Sequence, residues 1–225
     1  MSSSTMGLTP QIAAYVAHTG NGVDPILQDL IDETTQTEHG NMQVAPEQGR
    51  LLAFIIELMG ASRVIEIGTF TGYSSICMAR ALPQNGQLIC LDQSEDWANV
   101  ARRYWVRAGL MDKISLVIGP ADQTLQQIST KSDIYADWAG SVDLIFIDAN
   151  KDGYDLYYDY AINLLRTGGV MMFDNVLWKG MVADQSNSET ITRLMRHINT
   201  KAVNDPRVST CLLPVGDGLM MARKL

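Results

Sequence analysis

The sequence predicts an α/β fold: a Rossmann-like, doubly wound sheet of seven strands, mostly parallel, ending in an antiparallel strand. Three observations predict it. Short apolar runs without strict period-two alternation recur along the chain, as in strands buried on both faces. Helical segments separate them, and right-handed crossovers then build a doubly wound sheet. Near the end, two strand-like runs are joined by a short connection carrying Gly216-Asp217-Gly218, which suits a hairpin turn rather than a crossover.

The elements follow in order. The first sixty residues read as helices. Pro25 to Glu38 carries Ile26, Leu27, Leu30 and Ile31 before turning polar. Pro46 to Met59 opens on a first-turn proline, continues through Leu51, Leu52, Phe54, Ile55, Ile56 and Leu58, and stops at Gly60. Alternation begins with a strand over 63–67 and a helix over 73–82, ended by Pro83. A strand over 87–91, a helix over 95–108 and a strand over 114–118 come next, then a helix over 122–134. A strand over 142–147, a helix over 154–165 and a strand over 170–173 complete the parallel part. A helix over 188–200 leads to the closing strands at 208–213 and 219–222.

The 225 residues suffice for one α/β domain, with N-terminal helices over 1–60 and the sheet core over 61–225. Hydrophobic residues make up 46% and charged residues 19%, the balance of a globular protein. The net charge of −8 argues against nucleic acid as partner. Cys77, Cys90 and Cys211 are scattered and odd in number, so they read as reduced, mostly buried thiols and not as a disulfide framework. No apolar run reaches the roughly 18 residues of a membrane span. Met1 to Met6 lacks the basic start and apolar core of a secretory signal and reads as a short disordered tail. A cytoplasmic location is the resulting expectation.

Ligands of an open parallel sheet sit beyond the carboxyl ends of its strands. The first such end runs Glu66-Ile67-Gly68-Thr69-Phe70-Thr71-Gly72-Tyr73-Ser74. Its glycines permit a sharp turn and close approach of a ligand. A dinucleotide and S-adenosylmethionine (SAM) both suit such a loop. Phe70 stands where the dinucleotide fingerprint needs its middle glycine and would obstruct a pyrophosphate. Asp92, at the end of the second strand about twenty residues on, is placed to bind ribose hydroxyls; its other reading is a cap for the next helix.

Two further strand ends carry acids. One reads Asp148-Ala149-Asn150-Lys151, the other Asp174-Asn175. If these strands are neighbours, about 4.8 Å apart, Asp148, Asp174 and Asn175 can meet at one ion. Three oxygen donors without Cys or His suit a hard cation such as Mg²⁺ or Ca²⁺. Taken singly, Asp148 also reads as a helix cap and Asp174-Asn175 as an Asx turn. Lys151 opens a helix, an unfavourable place for a cation, and beside a divalent ion it is a candidate general base. The tyrosines at 154, 157, 158 and 160 read mostly as packing residues, and Trp178 as core or as a wall for a planar substrate. His18, His39 and His197 are isolated and read as structural.

Together these residues resemble the cation-dependent O-methyltransferases, the family of the plant caffeoyl-CoA and animal catechol enzymes. Further carriers are Val44-Ala45-Pro46-Glu47-Gln48-Gly49, Leu91-Asp92, Gly119-Pro120-Ala121 and Val176-Leu177-Trp178. The resemblance spans about Gln43 to Lys224. It implies a class I SAM-dependent methyltransferase. Glu66, Gly68, Ser74 and Asp92 would hold SAM, with Met42, Val44, Phe70, Ala121 and Tyr157 as further contacts and Asp148 near the cofactor's amino group. Asp148, Asp174 and Asn175 would bind Mg²⁺, or Mn²⁺ or Ca²⁺. Lys151 and Asp148 would be the catalytic pair, with Lys151 taking the hydroxyl proton. A homodimer is also implied.

The plant motif has Asp where this chain has Asn150, which removes a charge near the site. The expected reaction is methylation of a catechol-like small molecule. Alternatives are a hydroxylated tRNA nucleoside as acceptor, a NAD-dependent oxidoreductase, and a SAM-binding module without catalysis.

Overall fold

The structure is a computed structural model that describes residues 9–21, 24–131, 135 and 137–225. The expected tail at Met1 to Met6 lies outside the described residues. Seven strands form one sheet in the order β3-β2-β1-β4-β5-β7-β6. They are β1 (Arg63–Ile67), β2 (Gln87–Asp92), β3 (Ile114–Ile118), β4 (Val142–Ile147), β5 (Leu165–Phe173), β6 (Val208–Leu213) and β7 (Leu219–Lys224). The first five are mutually parallel, and β7 runs antiparallel between β5 and β6.

Residues of the strands alternate between two apolar layers. Ile65, Ile67, Ile89, Leu91, Ile145, Ile147, Met171 and Phe173 pack with α6 (Ala121–Ser129), α7 (Tyr154–Leu164) and α8 (Thr190–Asn204). Val64, Leu88, Cys90, Leu144, Phe146 and Met172 pack with α3 (Pro46–Met59), α4 (Tyr73–Ala81) and α5 (Glu95–Ala108). Both faces are covered, so these strands read as apolar runs. The N-terminal helices are α1 (Pro10–Asn21), largely exposed and in contact with α3, and α2 (Pro25–Thr35), which buries Leu30.

Several boundaries differ from the sequence reading. The helix expected over 122–134 ends at Ser129, and 132–134 lie outside the described residues. The strand expected at 170–173 starts at Leu165 and carries an irregularity where Gly168 takes a φ of +81°. Apolar character alone did not reveal Arg166-Thr167-Gly168-Gly169 as strand, because glycine and polar residues are poor strand formers. The helix expected over 188–200 runs from Thr190 to Asn204.

The sheet positions the site at its carboxyl edge. Strand order reverses between β1 and β4, which leaves a crevice there. The ladder continues one residue past the strands: Gly68 N–H donates to Leu91, Asp148 N–H to Ile67 and Asp174 N–H to Ile147. That row puts the glycine loop and both acids side by side.

Candidate active site

The loop after β1 is built on left-handed backbone. Gly68, Phe70 and Gly72 have φ of +92°, +50° and +89°. A Cβ on Gly68 would lie 2.1 Å from the Asp148 carbonyl oxygen, so only glycine lets the two strand ends approach. A Cβ on Gly72 would lie 2.8 Å from Ala101 Cβ, against α5. Phe70 is a non-glycine in the left-handed region, held there by hydrogen bonds. Asp92 Oδ2 accepts the N–H groups of Thr69 at 2.9 Å and Phe70 at 2.8 Å. Its Oδ1 accepts Ser94 N–H, and Ser94 is the residue that caps α5. Asp92 therefore ties the glycine loop to the end of β2 and is not the helix cap.

Glu66 lies beneath this loop with no exposure. Ser74 Oγ donates to it at 2.5 Å and Cys90 Sγ at 3.3 Å. Burial pushes its carboxyl up to about 8, against the pull of those hydrogen bonds. Burial likewise pushes the Cys77 thiol up to about 12, and Cys90 well above its ordinary range. Cys77 and Cys90 are buried as expected, whereas Cys211 is exposed on β6.

A cavity of about 930 Å³ opens at the carboxyl edge. Of the sequence-predicted site residues, Met42, Val44, Gly68, Phe70, Ser74, Asp92, Ala121, Asp148, Lys151, Tyr157, Asp174 and Asn175 all line it. Glu66 does not; it lies behind the wall, bonded to Ser74, which does. Trp178 lines it too, while packing partly buried against the hydrophobic core. Sequence reasoning missed Gln48, Trp97 and Asp217. Trp97 packs on Phe70 with ring centroids 4.8 Å apart, and a tryptophan just after the acid of β2 was a usable signal. Asp217 arrives from the β6–β7 turn, where its backbone and side chain accept N–H groups of Leu177 and Lys179. No local pattern announces that contact.

Asp148 Oδ1 accepts Lys151 Nζ at 3.0 Å, and both side chains are mostly buried. Asp174 is 3% exposed and accepts the Asn175 N–H at 2.7 Å. Burial, and then the charge of Asp148, push the Asp174 carboxyl above the usual range. Gln48 beside it pulls the other way. Two carboxylates that repel each other at a cavity wall, with an amide oxygen donor next to them, are a donor set that a hard cation would relieve. Among the described residues no group of three His, Cys, Asp or Glu side chains gathers at one point, so Asn175 is needed to complete it.

Asn150 uses both ends of its amide. Its Oδ1 accepts Tyr157 OH at 2.8 Å and its Nδ2 donates to Asp152 at 2.5 Å. An Asp here would face Asp152 without a proton to give. The Asn is thus matched to its neighbour.

A seven-stranded sheet of this order, with a glycine loop and a ribose-type acid at its crevice, is the architecture of the class I SAM-dependent methyltransferases. The model of the O-methyltransferase family matches residues 17–225. The "Probable caffeoyl-CoA O-methyltransferase 1" of Dictyostelium discoideum is 35% identical over 216 residues, 95% of this chain and 92% of that protein. An O-methyltransferase from Bacillus cereus, solved in complex with SAH, superposes with a TM-score of 0.86 at 31% identity, covering 96% of this chain and 97% of that one. TomG from Streptomyces achromogenes, an O-methyltransferase in tomaymycin synthesis solved with SAM, gives 0.84 at 27% identity, covering 95% and 96%. The chain belongs to the O-methyltransferase family and is an enzyme of that type.

Proposed function

We propose that this enzyme transfers the SAM methyl group to one hydroxyl of a vicinal dihydroxy-aromatic small molecule with the help of a divalent cation. One observation carries the reading. Asp148, Asp174 and Asn175 line the same cavity as the SAM-type glycine loop, with Lys151 bonded to Asp148. Pure cofactor binding needs neither Asp174, Asn175 nor Lys151.

Gly68 and Ser74 would cradle the amino-acid end of SAM, and Asp92 would meet the ribose. Met42, Val44, Phe70, Ala121 and Tyr157 would enclose the rest of the cofactor. Glu66 would act on it through Ser74. Asp148, Asp174 and Asn175 would hold Mg²⁺, with Mn²⁺ or Ca²⁺ as substitutes. Held by these residues, such an ion would supply Lewis acidity and lower the pKa of one of two adjacent hydroxyls. Lys151 takes the released proton, and Asp148 keeps the amine in place. Trp178 offers a flat wall to an aromatic acceptor. Positioning in line with the sulfonium supplies much of the acceleration.

The relatives' names support a caffeoyl-type acceptor, though a smaller catechol fits the same chemistry. A homodimer through the N-terminal helices and a cytoplasmic location belong to the same proposal. Among the described residues no helix is long and apolar enough to cross a membrane. The test is a methyl-transfer assay on caffeoyl, flavonoid and simple catechols, with and without chelator. Turnover that stops with chelator and returns with Mg²⁺ is expected. Full turnover in chelator, or transfer only to monohydroxy acceptors, would overturn the proposal.

A further inference from the structure

We infer that Tyr154 is a positioning residue: its hydroxyl, anchored at the ends of β4 and β5, holds the Lys151 nitrogen beside Asp148. This rests on Lys151 being the base, as proposed above.

Tyr154 opens α7 and is 1% exposed. Its hydroxyl has three partners: Lys151 Nζ at 2.7 Å, the Asp174 carbonyl at 3.1 Å and the Ile147 carbonyl at 3.2 Å. A phenol owns one proton, and its oxygen accepts. Both backbone carbonyls can only accept, so the proton goes to them. The phenol oxygen is then the acceptor for a Lys151 N–H. The bonds run in one direction, from Lys151 to Tyr154 to the ends of the two central strands.

Local geometry brings the pair together. Lys151 to Gly153 form a single 3₁₀ turn, in which residues three apart lie over one another. Lys151 Nζ accordingly sits 4.8 Å from the centroid of the Tyr154 ring, where the ring face also favours a cation. The other buried tyrosines of α7 do different work: Tyr157 bonds Asn150 and Tyr158 bonds Asp205.

The consequence is directional. Asp148 and Tyr154 each take one tetrahedral position of the nitrogen, Cε takes another, and a single position remains free. A nitrogen held at Asp148 alone would rotate about its Cε–Nζ bond. Held at two points, it presents its free position in one direction. Errors of about 1 Å in such placement cost on the order of 10²-fold in rate.

The test compares wild type, Y154F, K151M and the double variant, using a simple catechol with saturating SAM and Mg²⁺. Single-turnover methyl transfer, acceptor KM, SAM affinity by calorimetry and the thermal midpoint are read for each. Y154F should lower the transfer rate about 10- to 100-fold while KM and SAM affinity stay within about twofold. In the K151M background the same change should cost less than about twofold, because the residue it acts through is gone. An equal loss in both backgrounds would mark an ordinary buried hydroxyl and end the inference. So would a Y154F rate equal to wild type. If K151M itself transferred at the wild-type rate, the base assignment would fall first, and that outcome is separable from a failure of Tyr154 alone.

Discussion

Replacing Gly68 by Ala tests whether the glycine loop and the Asp148 strand end share one tightly packed point. Two costs arise. An alanine at a φ of +92° is strained, at about 1–2 kcal/mol. Its Cβ would also sit 2.1 Å from the Asp148 carbonyl oxygen, 2.6 Å from the Asp148 carbonyl carbon and 3.0 Å from Ala149 Cα. All three are backbone atoms, so no side chain can swing away and β1 or β4 must shift. Overpacking of this kind costs about 1–3 kcal/mol. The sum of about 2–5 kcal/mol should lower the melting midpoint by about 4–20 °C in a protein of this size.

Gly109 supplies the control. Its φ is +68°, but nothing lies within 4 Å of a Cβ there. Gly109→Ala should show only the backbone term, a loss of about 2–8 °C. Circular dichroism melts of both variants, with and without SAM, measure the difference. Gly68→Ala should also weaken SAM binding at least about tenfold, equivalent to about 1.4 kcal/mol, since the loop must move. Equal midpoints for the two variants, with SAM affinity unchanged at Gly68→Ala, would refute the packing argument.

Other outcomes follow from the same geometry. Asp174→Ala should abolish both activity and its response to Mg²⁺ while SAM still binds; a variant still stimulated by Mg²⁺ would remove Asp174 from the cation site. Glu66 is favoured protonated in the fold, at about 8 against an ordinary 4.5, so its stabilising protonated state is complete below 4.5 and lost as pH rises towards 8. Glu66→Gln should therefore gain stability relative to wild type between those values, by a few kcal/mol at most, and pH-dependent melts that run parallel would contradict it. Asp143 behaves oppositely. Burial raises its carboxyl, but the Ser62 and Arg63 amides at 2.7 and 2.9 Å and Arg166 at 2.6 Å outweigh that and hold it below the usual range. Its contribution is present above about pH 4 and lost on further acidification. Asp143→Ala should cost about 2–4 kcal/mol at neutral pH, and the gap to wild type in urea unfolding should narrow in acid.

The sheet was legible because its strands are apolar on both faces and its helices are punctuated by glycine and proline. Gly60 ends α3 in a left-handed cap, as its position suggested, and Gly109 ends α5 in the same way. Asp92, Asp148 and Asp174 were visible as acids at the ends of apolar runs, a pattern that burial rarely tolerates without a purpose. Boundaries such as Leu165 were not visible, because register in β5 depends on pairing with β4 and not on local composition.

By itself the sequence determined which residues stand at strand ends, and hence which chemistry reaches the crevice. Neighbouring strands in an ordered sheet leave little choice once the ladder is set. Only the tertiary structure decided what distant segments add. It buried Glu66 under Ser74, brought Asp217 across from a hairpin turn, and chose Tyr154 among four tyrosines to meet Lys151. Those choices depend on three-dimensional packing between segments far apart in the chain, or on side-chain directions around one helical turn, and neither leaves a periodic trace.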